Sequence, residues 1–125
     1  MKIVEDGIEV YLEKKDSDIS GSYDIKLIDT DDVIGYIEYD PYFDISNITY
    51  YIDKNYRGKK YSYQSLVLLS NYLKNNSINE FSLLINKKNK PSLGVADRFI
   101  VNNSVDTDIK MAGKNNMCYS YKIKI

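Results

Sequence analysis

The chain has 125 residues, enough for one core, and its 43% hydrophobic and 28% charged residues are those of an ordered globular domain spanning 1–125. Its formal charge of -1 argues against nucleic-acid binding through bulk electrostatics, and no apolar run is long enough to cross a bilayer. With no histidine and a single cysteine, Cys118, it excludes Ser-His-Asp and Cys-His devices and an internal disulfide, and it disfavours a metal site. Met1–Asp6 lacks the apolar core of a signal peptide, so a reducing cytoplasm is the expected compartment. The richness in Lys, Asn, Ile and Tyr looks like the codon bias of an AT-rich bacterial genome and carries no functional information.

Gly7–Leu12 alternates Ile8, Val10 and Leu12 with Glu9 and Tyr11, the period of a half-buried strand. Glu13–Gly21 is polar and reads as a loop. Tyr23–Ile28 and Val33–Tyr39 form a hairpin about Asp29–Asp32, and Asp40-Pro41 ends its second strand. Ile48–Asp53 sets Ile48, Tyr50 and Ile52 against Thr49, Tyr51 and Asp53, again a strand. A basic loop, Lys54–Tyr61, leads into a helix over Ser62–Asn76 with Leu66, Leu69 and Leu73 on one stripe and Val67 beside them. Phe81–Ile85 is nearly continuous in apolar residues, as for a strand covered on both faces. The helix between it and Ile48–Asp53 predicts a parallel pair with a right-handed crossover. Asn86–Lys90 is a second basic loop, and Pro91 opens a helix to about Ile100 that Gly94 should keep short. Asp108–Met111 and Met117–Ile125 close the chain as a hairpin about Gly113–Asn116. The 13 tyrosines suit the strands that carry them better than a base-stacking surface. The expected fold is α+β: a mixed sheet, antiparallel at both ends with a central parallel pair, and two helices.

Charge is concentrated where that pair ends. Arg57, Lys59 and Lys60 follow one strand and Lys87, Lys88 and Lys90 the next, so both cationic loops leave the sheet at its carboxyl edge, where α/β units bind ligands. A helix that starts there offers unpaired N–H groups and a positive dipole end, which suits phosphate.

Three segments resemble the GNAT N-acetyltransferases. Arg57-Gly58-Lys59-Lys60-Tyr61-Ser62 is similar to that family's Arg/Gln-x-x-Gly-x-Gly/Ala loop, with Lys60 in place of the central glycine. Asn89-Lys90-Pro91-Ser92 followed by Val95-Ala96-Asp97-Arg98-Phe99 resembles its Asn-x-x-Ser-x-x-Val-x-Glu-Lys segment, and Val33-Ile34-Gly35-Tyr36-Ile37 its third strand. The resemblance is nearest to the ribosomal-protein and small-substrate acetyltransferases. It implies acetyl-CoA as cosubstrate, no metal, and acetyl transfer to a primary amine of a small molecule or peptide by direct attack. It also implies that Arg57, Gly58, Lys59, Lys60, Tyr61 and Ser62 hold the pyrophosphate, that Tyr50, Tyr51 and Ile52 lend backbone groups to the pantetheine, and that Asn89 and Ser92 hold the arm. A backbone N–H near Tyr51 or Ile52 would polarise the thioester carbonyl.

The chain departs from the family in three places. Glu13–Ser22 is too short for the two helices that wall the acceptor pocket, which leaves that pocket open, missing or completed by a second chain in a homodimer. The family's tyrosine acid falls at Ala96, so Tyr119, Tyr121 or water would have to protonate the leaving thiolate. A side chain at Lys60 costs about 1–2 kcal/mol if that position is left-handed. Glu38, Asp44 and Asp53 are the candidate general bases. The alternative function is a catalytically inactive acyl-CoA-binding or regulatory module; a third is an interaction domain whose sheet edge pairs with a partner.

Overall fold

A computed structural model describes residues 1–42 and 47–125; the candidate base Asp44 lies outside the described residues. Among the described residues eight strands form two sheets. The first contains β1 (Lys2–Ile3), β2 (Val10–Glu13), β3 (Gly21–Leu27), β4 (Val33–Tyr39) and β5 (Ile48–Ile52), paired antiparallel in chain order. The second contains β6 (Glu80–Asn86), β7 (Asp106–Ala112) and β8 (Cys118–Lys124), antiparallel in the order β6-β8-β7. Helix α1 (Tyr61–Asn75) joins the sheets, and α2 (Lys90–Asn103) joins β6 to β7. Residues 14–20, between β2 and β3, contain no helix.

The expected central parallel pair is only a point of contact. Strands β5 and β6 lie side by side, and the Asn47 N–H donates to the Ser82 carbonyl at 3.2 Å, but no ladder joins them. Beyond that bond the strands part. Their carboxyl ends, at Ile52 and Asn86, lead into the two segments that flank one cavity, so they run in the same direction as they separate. The alternation read in the sequence had suggested a continuous sheet. The gap is set by the register on either side, where β5 is held by β4 and β6 by β8.

One core cluster spans both sheets. Helix α1 packs on β1, β2 and β5 and also on α2, so Leu68, Ser65 and Ser70 are buried together with Leu66, Leu69 and Leu73. The single stripe read from the sequence is therefore too narrow. Helix α2 runs 14 residues despite Gly94, because Ala96 and Phe99 are buried and the Phe99 ring meets Phe81 edge-on at 5.7 Å. Tertiary packing outweighs the roughly 1 kcal/mol that one glycine costs a helix. Strand β6 is covered along one face, where Phe81, Leu83 and Ile85 are buried, and only in part on the other, where Ser82 is buried and Leu84 is exposed.

Gly35 on β4 fixes how closely β5 can approach. A Cβ at that position would stand 2.0 Å from the Tyr51 carbonyl oxygen, so no residue with a side chain fits there without moving β5.

Candidate functional site

The gap between β5 and β6 opens into a cavity of about 580 Å³, walled by the end of β5, the loop after it and the first turns of both helices. Each wall follows from local sequence. The Asp53 N–H donates to Ile34 O at 2.7 Å, which fixes the odd positions of β5 as those bonded to β4. By strand alternation the backbone N–H and C=O groups of Tyr50 and Ile52 therefore turn towards the gap. Tyr51 is directed at β4, which corrects the expectation that its N–H is free to polarise a carbonyl.

The loop contributes its conformation and its charge. Gly58 (φ 78°) and Lys60 (φ 68°) both adopt left-handed backbone, and Lys60 immediately precedes α1. The first intrahelical bond runs from Gln64 N–H to Lys60 O at 3.0 Å, and no side chain caps this end. The amides of Tyr61, Ser62 and Tyr63 consequently have no acceptor within the helix, and all three residues line the cavity. An uncapped helix start with no acidic residue in its first turn is a ready anion site.

Arg57 is held against β5. Its Nε donates to Ile52 O at 2.8 Å and its guanidinium lies over the Tyr51 ring at 5.2 Å, while Tyr51 stacks on Tyr36. Its remaining N–H groups stay at the cavity margin, where Arg57 is one of the lining residues. Asn89 caps α2: its side-chain oxygen accepts from Ser92 N–H at 3.3 Å, which leaves the NH₂ end for a ligand. Tyr50 reaches into the same space. Its hydroxyl is buried without a hydrogen-bond partner, and burial pushes its pKa up. The Ser92 hydroxyl is near enough to temper that rise but too loosely placed to make the bond.

Ten of the eleven residues expected to meet the cofactor line this one cavity: Tyr50, Tyr51 and Ile52 on β5, Arg57 to Ser62 without Lys59 on the loop and helix start, and Asn89 and Ser92 on α2. Lys59 is exposed and stands outside the lining. The second cationic loop does not contribute either. Lys87, Lys88 and Lys90 are absent from the walls, and the Lys87 ammonium lies instead over the Tyr119 ring at 5.0 Å. Its place is taken by Arg98, which the charge pattern did not single out as a ligand; its guanidinium lies 5.7 Å from the centre of the Tyr63 ring. Pro91, Gly94, Val95 and Arg98 recur at the spacing of one helix face, the signal by which this wall was readable. Gly94, taken in the sequence as a flaw in the helix, leaves open space where it lines the cavity. None of the candidate acids and bases among the described residues, Glu38, Asp53, Tyr119 and Tyr121, is on its walls. Glu38 sits opposite Thr49 on the far face of β4, and Tyr119 and Tyr121 face the core side of β8, opposite Ile85 and Leu83. Strand alternation placed these side chains, and no spacing rule could aim them at a gap the sequence does not show.

No protein-family model and no curated protein matches the sequence. Solved structures do. An acetyltransferase from Agrobacterium tumefaciens str. C58 superposes with a TM-score of 0.66 at 17% identity, over 82% of this chain and 60% of that one. A GNAT-family acetyltransferase from Bacillus anthracis gives 0.64 at 17%, over 83% and 64%. This chain has the GNAT fold. The microcin C7 self-immunity acetyltransferase MccE, solved in complex with acetyl-CoA and AMP, also shares it, with a TM-score of 0.59 at 16% identity over 82% of this chain and 58% of that one. The chain therefore spans about three-fifths of the length of these GNAT structures. At such identities the likeness is one of fold alone.

Proposed function

We propose that the chain is an acetyl-CoA-dependent N-acyltransferase that acetylates a primary amine of a small molecule or peptide. The observation that carries this reading is the cavity itself, where the bare amides that open α1 and the gap-facing backbone of β5 line a single continuous space. The chemistry of the walls suits the cosubstrate. Cations and free amides gather at the loop end for a pyrophosphate, exposed strand backbone follows for an amide-bearing arm, and an unpartnered buried hydroxyl stands beyond. The volume lies in the range of small-ligand sites.

In this reading Gly58, Lys60 and the amides of Tyr61, Ser62 and Tyr63 hold the pyrophosphate, with Arg57 and Arg98 supplying formal charge. Tyr50 and Ile52 pair with the arm as a neighbouring strand would, and Asn89 offers it an NH₂ donor. Acetyl-CoA supplies an activated thioester carbonyl. The Tyr50 or Ile52 N–H donates to the oxygen of that carbonyl and stabilises the charge that develops there, so the rate comes from positioning and a preorganised donor. The Tyr50 phenol, kept protonated by burial, can release a proton to the leaving sulfur, the role the sequence had offered to Tyr119 or Tyr121.

One observation favours the second reading, an inactive acyl-CoA-binding module: among the described residues, the cavity walls contain no carboxylate to take the amine's proton. Binding and turnover separate the two. Saturation at 100 times Kd stabilises by about 2.7 kcal/mol, a rise of several degrees in Tm. Arg57→Glu and Arg98→Glu should abolish most of that rise, and Lys87→Glu should leave it intact. Thiol release from acetyl-CoA with an amine panel then identifies the enzyme, whereas binding without release identifies the module. If millimolar coenzyme A leaves Tm unchanged, both fail.

A further inference from the structure

Strand β7 ends the second sheet, and among the described residues no strand lies beyond it. The direction of its backbone groups follows from β8. Lys87 N–H donates to Met117 O at 2.9 Å, and Ile125 N–H to Asn79 O at 2.7 Å, so the odd positions of β8 bond towards β6. The even positions of β8 therefore bond to β7, through Asp106, Asp108, Lys110 and Ala112. Thr107, Ile109 and Met111 are left with N–H and C=O groups turned to the open edge. Two of the usual protections are missing from this edge: β7 contains no proline and its register with β8 is unbroken, and Ile109 and Met111 are 52% and 61% exposed beside the charged Asp106, Asp108 and Lys110.

The strand is also complementary to itself. Turned antiparallel about Ile109, Asp106-Thr107-Asp108-Ile109-Lys110-Met111-Ala112 sets Ile109 opposite its own copy and Thr107 opposite Met111, both at the hydrogen-bonded positions. Asp108 then faces Lys110 of the other copy, twice, at the closer non-hydrogen-bonded positions. Among the described residues neither side chain has an ion-pair partner; Lys122, opposite Asp108 on β8, is paired with Glu80 at 3.6 Å. A slip of two residues sets Asp108 against Asp108 beside two Asp106–Lys110 pairs in one direction, and Lys110 against Lys110 in the other; of these three registers only the one centred on Ile109 joins opposite charges without a like-charge pair.

We propose that two copies of this chain associate through β7, forming a six-stranded sheet across a two-fold axis in the register centred on Ile109. Such an interface uses the same patch on both partners. Association covers Ile109 and Met111 and gives Thr107, Ile109 and Met111 their missing backbone partners. It also brings a second Asp108–Lys110 pair to the rim of a polar groove of about 430 Å³, lined by Asp108, Lys110, Lys122 and Glu80, on the open face of this sheet. The inference is independent of the acetyl-transfer reading, since its test reads molecular mass alone.

The experiment is sedimentation equilibrium of the full chain and three variants. The unaltered chain should dimerise with rising concentration. Asp108→Lys and Lys110→Asp each place like charges opposite one another twice and should raise the dimer Kd about tenfold or more, while the double swap D108K/K110D restores opposite charges and the dimer. Both positions are exposed, and melting curves in dilute solution check that each variant is folded, since Asp108→Lys also stands opposite Lys122 within its own sheet. Amide exchange adds a readout without mutation: the Thr107, Ile109 and Met111 amides should gain protection as concentration rises. A chain monomeric at every concentration, single variants that dimerise as the parent does, a double swap that stays monomeric, or edge amides that never gain protection would each overturn the proposal.

Discussion

Lys60→Gly isolates the strain stored at the mouth of the cavity. Lys60 holds φ 68° and ψ 16°, and its exposed side chain makes no hydrogen bond or ion pair, so the substitution removes no contact. A left-handed backbone costs a residue with a Cβ about 1–2 kcal/mol. Glycine removes that cost but gives the unfolded chain about 0.4–1 kcal/mol of extra entropy. The net gain is about 1 kcal/mol, a Tm increase of about 4 °C for a chain of this size. Lys60→Ala is the control, since it removes the charge and keeps the Cβ. Calorimetric melting should therefore show Gly above Lys, with Ala close to Lys. Titration with coenzyme A separates approach from charge: both variants lose an ammonium, but only glycine lets phosphate lie against the backbone. Glycine should bind tighter than alanine. If alanine raises Tm as much as glycine does, or binds as tightly, the argument from backbone strain is wrong.

Three more outcomes are expected. Gly35→Ala should destabilise by about 2 kcal/mol or more, since a Cβ 2.0 Å from Tyr51 O forces β5 to shift; loss of coenzyme A binding together with the fall in Tm is the check. Tyr50→Phe removes a buried hydroxyl that has no partner, so Tm without ligand should hold or rise by about 1 kcal/mol in stability, while coenzyme A binding and any thiol release fall. Glu13 has its carboxyl held below the usual carboxylate range by the Lys26 ammonium, which bonds it at 2.7 Å, and also by Lys2. A lowered folded pKa means the carboxylate stabilises above its unfolded value and loses that contribution as pH falls through the folded one. Glu13→Gln should thus lower Tm at neutral pH, and the two melting curves should converge in acid.

The sequence by itself determined most of the elements and the chemistry of the loop. Alternation placed β5 and β8, a hairpin signal placed β4 and an apolar run placed β6, each nearly to the residue. Tyr56–Ser62 was readable because a strand, a cationic loop and a helix start follow one another within a few residues, and such local order survives into three dimensions. The family resemblance put a glycine where Lys60 stands, and the structure gives that residue the left-handed backbone under which a side chain is costly. Tertiary structure decided the rest. Whether β5 and β6 zip together or part depends on what holds each strand from its other side, and β8, which holds β6, is distant from it in sequence. The same separation explains why Arg98 supplies the charge expected of Lys87–Lys90, and why Glu38 and Tyr119 point elsewhere. A side chain's direction is fixed by register against a neighbouring strand, and register is a property of the packed sheet rather than of the segment that carries the residue.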